Sequence, residues 1–216
     1  MTYTLVSDGA SDRALIPILT WALRRQGYDG PVNSQWADLR RLKTPPSHLG
    51  LRVQWSVELY PCDLLFIHRD AEGQPFAERE QEIVRVVRTV NPEILVPIVA
   101  VVPVRMMEAW LLIEEAAIRS AAGNPNGDNE LDLPLVRHLE SLPNPKGVLH
   151  KLIREASGLG AHRRRCLNVG ELIFRIADLV NDFAPLENLP AFARFSAELR
   201  QVLEDNGFCP AVELEV

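Results

Sequence analysis

Leu64-Leu65-Phe66-Ile67-His68-Arg69-Asp70 decides the fold. Four consecutive apolar residues read as a strand buried on both faces, closed by a histidine, an arginine and an acid. Such a strand belongs inside a mainly parallel sheet, and a parallel neighbour needs a crossover before it. Residues 49–59 are placed to supply one. Leu49, Leu51, Val53, Trp55, Val57 and Leu59 alternate as in a half-buried strand, yet Leu49, Val53, Val57 and Tyr60 share a helical face. The need for a crossover favours the helix. Working outward, residues 3–6 form an earlier strand, followed by a turn over 7–11 and a helix with Leu15, Ile18, Leu19, Ala22 and Leu23 on one stripe. Ser11 or Asp12 is its expected N-cap and Gly27 its stop. Pro75 is expected to open a second helix with Phe76, Ile83, Val84 and Val87 inward. Residues 98–102 make a third buried strand, followed by a helix from about 106 to 122. This alternation is the signature of βαβ units, so the class is α/β with a mainly parallel sheet and flanking helices.

The texture changes at Gly123. Asn124-Pro125-Asn126-Gly127-Asp128-Asn129 is a turn-rich connector. Beyond it only helical patterns occur, over about 133–140, 146–156, 170–182 and 191–206. The expected organisation is an α/β core over 1–122 and a helical C-terminal extension over 123–216 packed on it.

Composition narrows the setting. Among 216 residues, 23 Lys and Arg stand against 29 Asp and Glu, a net charge of −6 that excludes a uniformly basic nucleic-acid coat protein. The longest apolar run, 94–104, is too short to span a bilayer and holds Pro97 and Pro103, so no membrane partner is expected. The N-terminus has no cationic segment of the kind that opens a secretion signal. Cys62, Cys166 and Cys209 are far apart with no C-x-x-C pair, which argues against disulfides and structural zinc and fits a cytoplasmic location.

The acids fall in a pattern. The C-terminal ends of parallel strands line the functional crevice of α/β sheets. The first strand delivers Asp8 and then Asp12, the second Asp70 and Glu72, and the third leads into Arg105 and Glu108. Acids gathered at one edge repel one another unless a cation neutralises them, and oxygen donors select Mg²⁺, Mn²⁺ or Ca²⁺. Taken singly, each acid also reads as a turn former or helix cap.

Val6-Ser7-Asp8-Gly9-Ala10-Ser11-Asp12 resembles the V-E-G-x-x-D opening of Toprim domains. His68-Arg69-Asp70-Ala71-Glu72 falls where those domains carry a D-x-D strand end. Val104-Arg105-Met106-Met107-Glu108-Ala109-Trp110-Leu111-Leu112-Ile113-Glu114 is similar to an R-x-x-E-x-W-L-L-x-D segment of a bacterial Toprim-like family, and Asn144-Pro145-Lys146 resembles a further short motif of that family. The likeness implies a Toprim-like sheet, Mg²⁺ (or Mn²⁺) and phosphodiester chemistry like that of the overcoming-lysogenization-defect class of nucleases. It also implies nucleic acid as substrate and an ABC-type or AAA ATPase as partner in a bacterial defence (phage defence) or mobile-element system. Carried over by position, Asp8, Asp70 and Glu108 are the catalytic candidates and Asp8, Asp70 and Glu72 the metal ligands, with Asp12 and Glu114 as additional acids. Asp8 replaces the family glutamate and Glu72 the second aspartate. Acidity is kept while side-chain length shifts, and this motivates a non-catalytic interaction subunit as the alternative.

Cationic residues complete the picture. Arg69 and Arg105 flank the acids and are candidates to contact phosphate, or else to pair with a neighbouring carboxylate. Between 146 and 175, seven Lys or Arg face two Glu, a local charge of +5 centred on Arg163, Arg164 and Arg165. Such a cluster suits a phosphate backbone, though a solvated face reads the same way. His68 is expected to be a packed histidine. No G-x-x-x-x-G-K-[ST] or strand-following G-x-G-x-x-G occurs, which argues against a P-loop ATPase and a dinucleotide-binding oxidoreductase. A phosphatase-like domain acting on small molecules is a third reading.

Overall fold

A computed structural model describes residues 1–71, 74, 76–90 and 95–209. Four parallel strands, β1 (Thr2–Val6), β2 (Asn33–Trp36), β3 (Leu64–His68) and β4 (Ile98–Val101), lie in the order β2-β1-β3-β4. Helices α1 (Leu15–Arg25), α2 (Leu49–Leu59) and α3 (Phe76–Val90) connect them. The chain continues into α4 (Glu115–Ala121), α5 (Pro145–Ala156), α6 (Ala161–Arg165), α7 (Val169–Leu179) and α8 (Pro190–Asp205). The protein is therefore an α/β domain with a parallel sheet, flanking helices and a helical C-terminal part.

Strand alternation loads both faces of the sheet. Tyr3, Leu5, Leu64, Phe66, Val99 and Val101 point into one core with α1, α5, α7 and α8. Val6, Leu65, Ile67, Ala100 and Val102 point into the other, with α2 and α3. Helices on opposite faces let the chain step from β1 to β2 and then back across β1 to β3 by right-handed crossovers. The order thus reverses between β1 and β3, and the loops leaving their C-terminal ends diverge there.

An aromatic chain joins the two halves of the sequence. Tyr3 meets Phe66 edge-on at 5.1 Å, Phe66 lies 6.2 Å from Phe195, and Trp110 packs edge-on to Phe192 at 5.1 Å. The C-terminal helices therefore share one core with the sheet. α8 also guards the open edge of β4, where Glu198 accepts a hydrogen bond from the Ala100 N–H at 3.2 Å. Desolvation pushes the Glu198 carboxyl up to about 7.

Several local expectations are corrected. Neither Ser11 nor Asp12 caps α1; Ala14 holds that position, and the Asp12 carboxylate accepts from the Gly9 N–H at the head of a 3₁₀ turn, Ala10–Ala14. The helix expected over 106–122 is two pieces, a 3₁₀ turn Met107–Leu111 and then α4. The break lets Glu114 adopt an extended backbone and accept two hydrogen bonds from Asn181. Val84 is 41% exposed rather than inward, on the rim of a small groove against α8. The helical pattern at 133–140 is a 3₁₀ turn, Val136–Ser141. β2 and α6 went unanticipated, and Pro75 lies outside the described residues.

If the shared aromatic core makes the chain one cooperative unit, Phe195→Ala should cost about 3–5 kcal/mol and leave a single urea transition by both tryptophan fluorescence and far-UV circular dichroism. Two separated transitions would show that the C-terminal helices fold independently.

Candidate functional site at the carboxyl ends of β1 and β3

The first strand end is built by a tight turn. Ser7 Oγ donates to the Gly9 carbonyl at 3.1 Å and accepts from Trp36 Nε1–H at 3.0 Å, fixing the exit of β1 against β2. Asp12 folds back to the Gly9 N–H at 2.8 Å, and Ser11 Oγ donates to its other oxygen at 3.2 Å. The second strand end presents His68, Arg69 and Asp70. Asp8, Gly9, Asp12, His68, Arg69 and Asp70 line one cleft of about 260 Å³. It opens where the strand order reverses, the location at which open α/β sheets bind ligands.

Asp8 is held between two arginines. Arg52 of α2 donates to its Oδ1, and Arg69 Nε lies 3.1 Å from its Oδ2. Arg69 also approaches Glu82 at 3.8 Å, and Glu82 accepts from Arg79 at 2.6 Å. The result is an alternating row of charges along the rim. Arg52 and Arg69 are only about one-fifth exposed, but Asp8 is 48% exposed, so water still screens both pairs in part.

Asp70 sits deeper. Its Oδ1 accepts from the Met107 N–H at 3.0 Å and lies 3.5 Å from His68 Nε2. The His68 Nδ1–H donates to the Val101 carbonyl at 2.9 Å, which turns Nε2 toward the carboxylate. His68 is thus the packed histidine expected, and it also lines the cleft. Desolvation, opposed by His68 and reinforced by the nearby charges of Asp12 and Glu108, pushes Asp70 up to about 6. Glu108 is 3% exposed and pairs with Lys146 Nζ at 3.3 Å. Lys146 is aimed by the start of α5, where Asn144 caps the Gly147 N–H at 2.9 Å and Pro145 occupies the first helical turn.

The turn into this wall is strained. Arg105 has φ +65°, the left-handed region that non-glycine residues rarely adopt, and it steers the chain so that the Met107 N–H faces Asp70.

The structure thus brings together Asp8, Asp12, Asp70 and Arg69, with Glu108 close enough to act on Asp70. Glu114 is not among them, because Asn181 engages both its oxygens. Glu72 lies outside the described residues. Arg105 is not among the residues that line the cleft and forms no ion pair among the described residues. Arg163, Arg164 and Arg165 sit on α6, away from the cleft lining. Arg52 escaped sequence reasoning, since nothing in an amphipathic helix marks one arginine as facing an acid 44 residues earlier.

No protein-family model, curated protein or solved structure matches the chain.

Among the described residues no three His, Cys, Asp or Glu side chains are grouped to hold a metal ion. A divalent ion that keeps most of its waters needs less, one or two carboxylates being enough for Mg²⁺. Asp70 suits that role. It is a partly buried carboxylate whose neighbours include two further acids, so a cation beside it would relieve an existing electrostatic cost.

That cost has a measurable sign. A carboxyl whose folded pKa is raised favours folding in its protonated form, so its contribution is full below the unfolded value near 4 and is lost as pH rises through about 6. Asp70→Asn keeps an acceptor for Met107 and removes the charge. In EDTA it should stabilise the protein by about 1–3 kcal/mol at pH 8, a gain that shrinks as pH falls toward 5. Urea unfolding of both proteins at the two pH values checks this; a gain independent of pH contradicts the account of Asp70.

Proposed function

We propose that the chain is a Toprim-like, Mg²⁺-dependent nuclease that hydrolyses phosphodiester bonds of nucleic acid as part of a bacterial defence or mobile-element system. The observation that carries the reading is the meeting of Asp8, Asp12, Asp70 and Arg69 in the crevice between β1 and β3, with Arg52 paired to Asp8 from its flank. Phosphodiester hydrolysis needs acids to hold a metal and cations to hold the backbone, and both are present within one cleft and its wall.

Asp70 and Asp12, together with Glu72, would be the oxygen donors for the ion, and Asp8 would be a further donor if it left its arginines. When bound, the ion supplies Lewis-acid polarisation of the scissile phosphate. Arg52 and Arg69 would hold the phosphate, a planar donor fork suiting that anion as well as it suits a carboxylate. His68 positions Asp70 through its anchored imidazole. Glu108, neutralised in part by Lys146, sets the field behind Asp70, and Arg105 offers a further phosphate contact at the rim. Arg163, Arg164 and Arg165 are candidates to hold more distant phosphates.

The test is cleavage of single- and double-stranded DNA and RNA in Mg²⁺ or Mn²⁺. Asp70→Asn should lower the rate at least about 10²-fold, and Arg52→Ala should raise KM more than it lowers kcat. Equal cleavage by the parent and Asp70→Asn removes the site assignment.

A second reading, a non-catalytic Toprim-like subunit held by an ABC-type or AAA ATPase, is favoured by the engagement of both Asp8 oxygens by arginine. Calorimetry separates the two. Mn²⁺ binding that disappears in Asp70→Asn or Glu72→Ala supports the metal enzyme, and its absence in the parent supports the scaffold.

A further inference from the structure

Away from the cleft, a groove of about 470 Å³ lies between α5 and α6. Gly147 and Ala161 keep it wide, and Lys151, Arg154, Arg164 and Arg165 line it with Glu155 as its one acid. Four cations against one anion give a local charge of +3 on a chain of net charge −6. Lys151 spends little of its charge on Glu155, since the two are 3.8 Å apart and Lys151 is 63% exposed. Arg154 donates to the His150 carbonyl, which holds the guanidinium without neutralising it. Arg164 and Arg165 have no carboxylate within ion-pair distance among the described residues.

Helices that only need solubility usually intersperse charges of both signs, whereas α6 reads Ala161-His162-Arg163-Arg164-Arg165 with none of its residues buried. Concentrating uncompensated cations along a concave wall raises the local potential and attracts a polyanion. The groove also has a direction. α5 starts at the Glu108–Lys146 pair behind Asp70, and Gly147, the next residue, already lines the groove. From Lys146 to Arg154 the helix advances about 12 Å, the axial span of three to four nucleotides of one duplex strand at ~3.4 Å each.

We propose that the α5–α6 groove is a track for a polynucleotide backbone that leads toward the cleft at β1 and β3. Lys151, Arg154, Arg164 and Arg165 take successive phosphates, and Lys146 marks the end nearest the acids. This rests on the nuclease reading for its substrate class but assigns a separate binding surface. It also sorts the arginine run, because Arg164 and Arg165 line the groove while Arg163 does not.

The test is fluorescence anisotropy with labelled 20-nucleotide single-stranded DNA, RNA and duplex DNA in EDTA, so that affinity is read with no cleavage. Lys151→Glu combined with Arg164→Glu and Arg165→Glu should weaken binding at least tenfold and flatten the plot of log K against log salt by about 2. Arg88→Glu alone and in combination with Arg85→Glu, on α3 across the sheet, carries charge reversal without touching the groove and should leave affinity within about threefold. Because affinity is read in EDTA without cleavage, failure of the track is distinguished from failure of the catalytic assignment, which only the cleavage assay reads. Circular dichroism and a thermal melt confirm that each variant is folded. Unchanged affinity and salt slope in the triple variant overturn the proposal. So does competition by inorganic polyphosphate as effective as unlabelled oligonucleotide per phosphate, or binding to anionic phosphatidylserine vesicles with none to nucleic acid.

Discussion

Parallel pairing of β1 with β3 obliges the chain to reverse its direction across the sheet, and most of the remaining structure follows from that reversal. β1 sends α1 over one face on the way to β2, and β2 must return past β1 on the other face to reach β3. Right-handed crossovers permit no cheaper route. The two carboxyl ends, bearing Asp8 and Asp70, therefore look into an opening that no helix fills among the described residues. Pairing fixes the register as well, since Val6 lies opposite Ile67 and the residues that follow each strand leave the sheet at one level.

The helical C-terminal part is bound to this geometry rather than appended to it. Phe195 reaches Phe66 in the centre of the sheet, Glu198 occupies the free N–H of Ala100 on β4, and Lys146 pairs with Glu108 behind the cleft. Burial of an acid such as Glu108 is costly unless a partner accompanies it. The element that supplies the partner, α5, is thereby tied to the wall of the site.

What the sequence disclosed tracks the strength of local signals. The apolar run at 64–67 and the stripe of α1 are governed by burial, and both appear as read. Residues 49–59 carried two periodicities, and topology rather than periodicity decided correctly for helix. β2 was missed because Asn33-Ser34-Gln35-Trp36 is a polar edge strand, held by pairing with β1 and not by its own hydrophobicity. A single helix over 106–122 is too long a reading because apolar residues persist through the break, and the Asn181 bonds to Glu114 that accompany the break come from far along the chain. For the same reason Asp8, Asp12, Asp70 and Arg69 could be named from strand ends, but Arg52 could not. Its role depends on where α2 crosses the sheet.

The electrostatics of the cleft divide into two halves with opposite tendencies. On the rim, Asp8 is satisfied by Arg52 and Arg69 and gains nothing from a metal unless a second anion arrives to relieve the arginines. In the wall, Asp70 is desolvated among acids and gains at once from a cation. A cation alone answers only the wall, and an anion alone meets arginines already occupied by Asp8. On the proposed nuclease reading, a phosphate arriving with a divalent ion would answer both, because it would take the arginines, free Asp8 and place opposite charge beside Asp70. On that reading joint binding of the two would be favoured over either separately, and the coupling would lie in Asp8, which is shared between the two arginines.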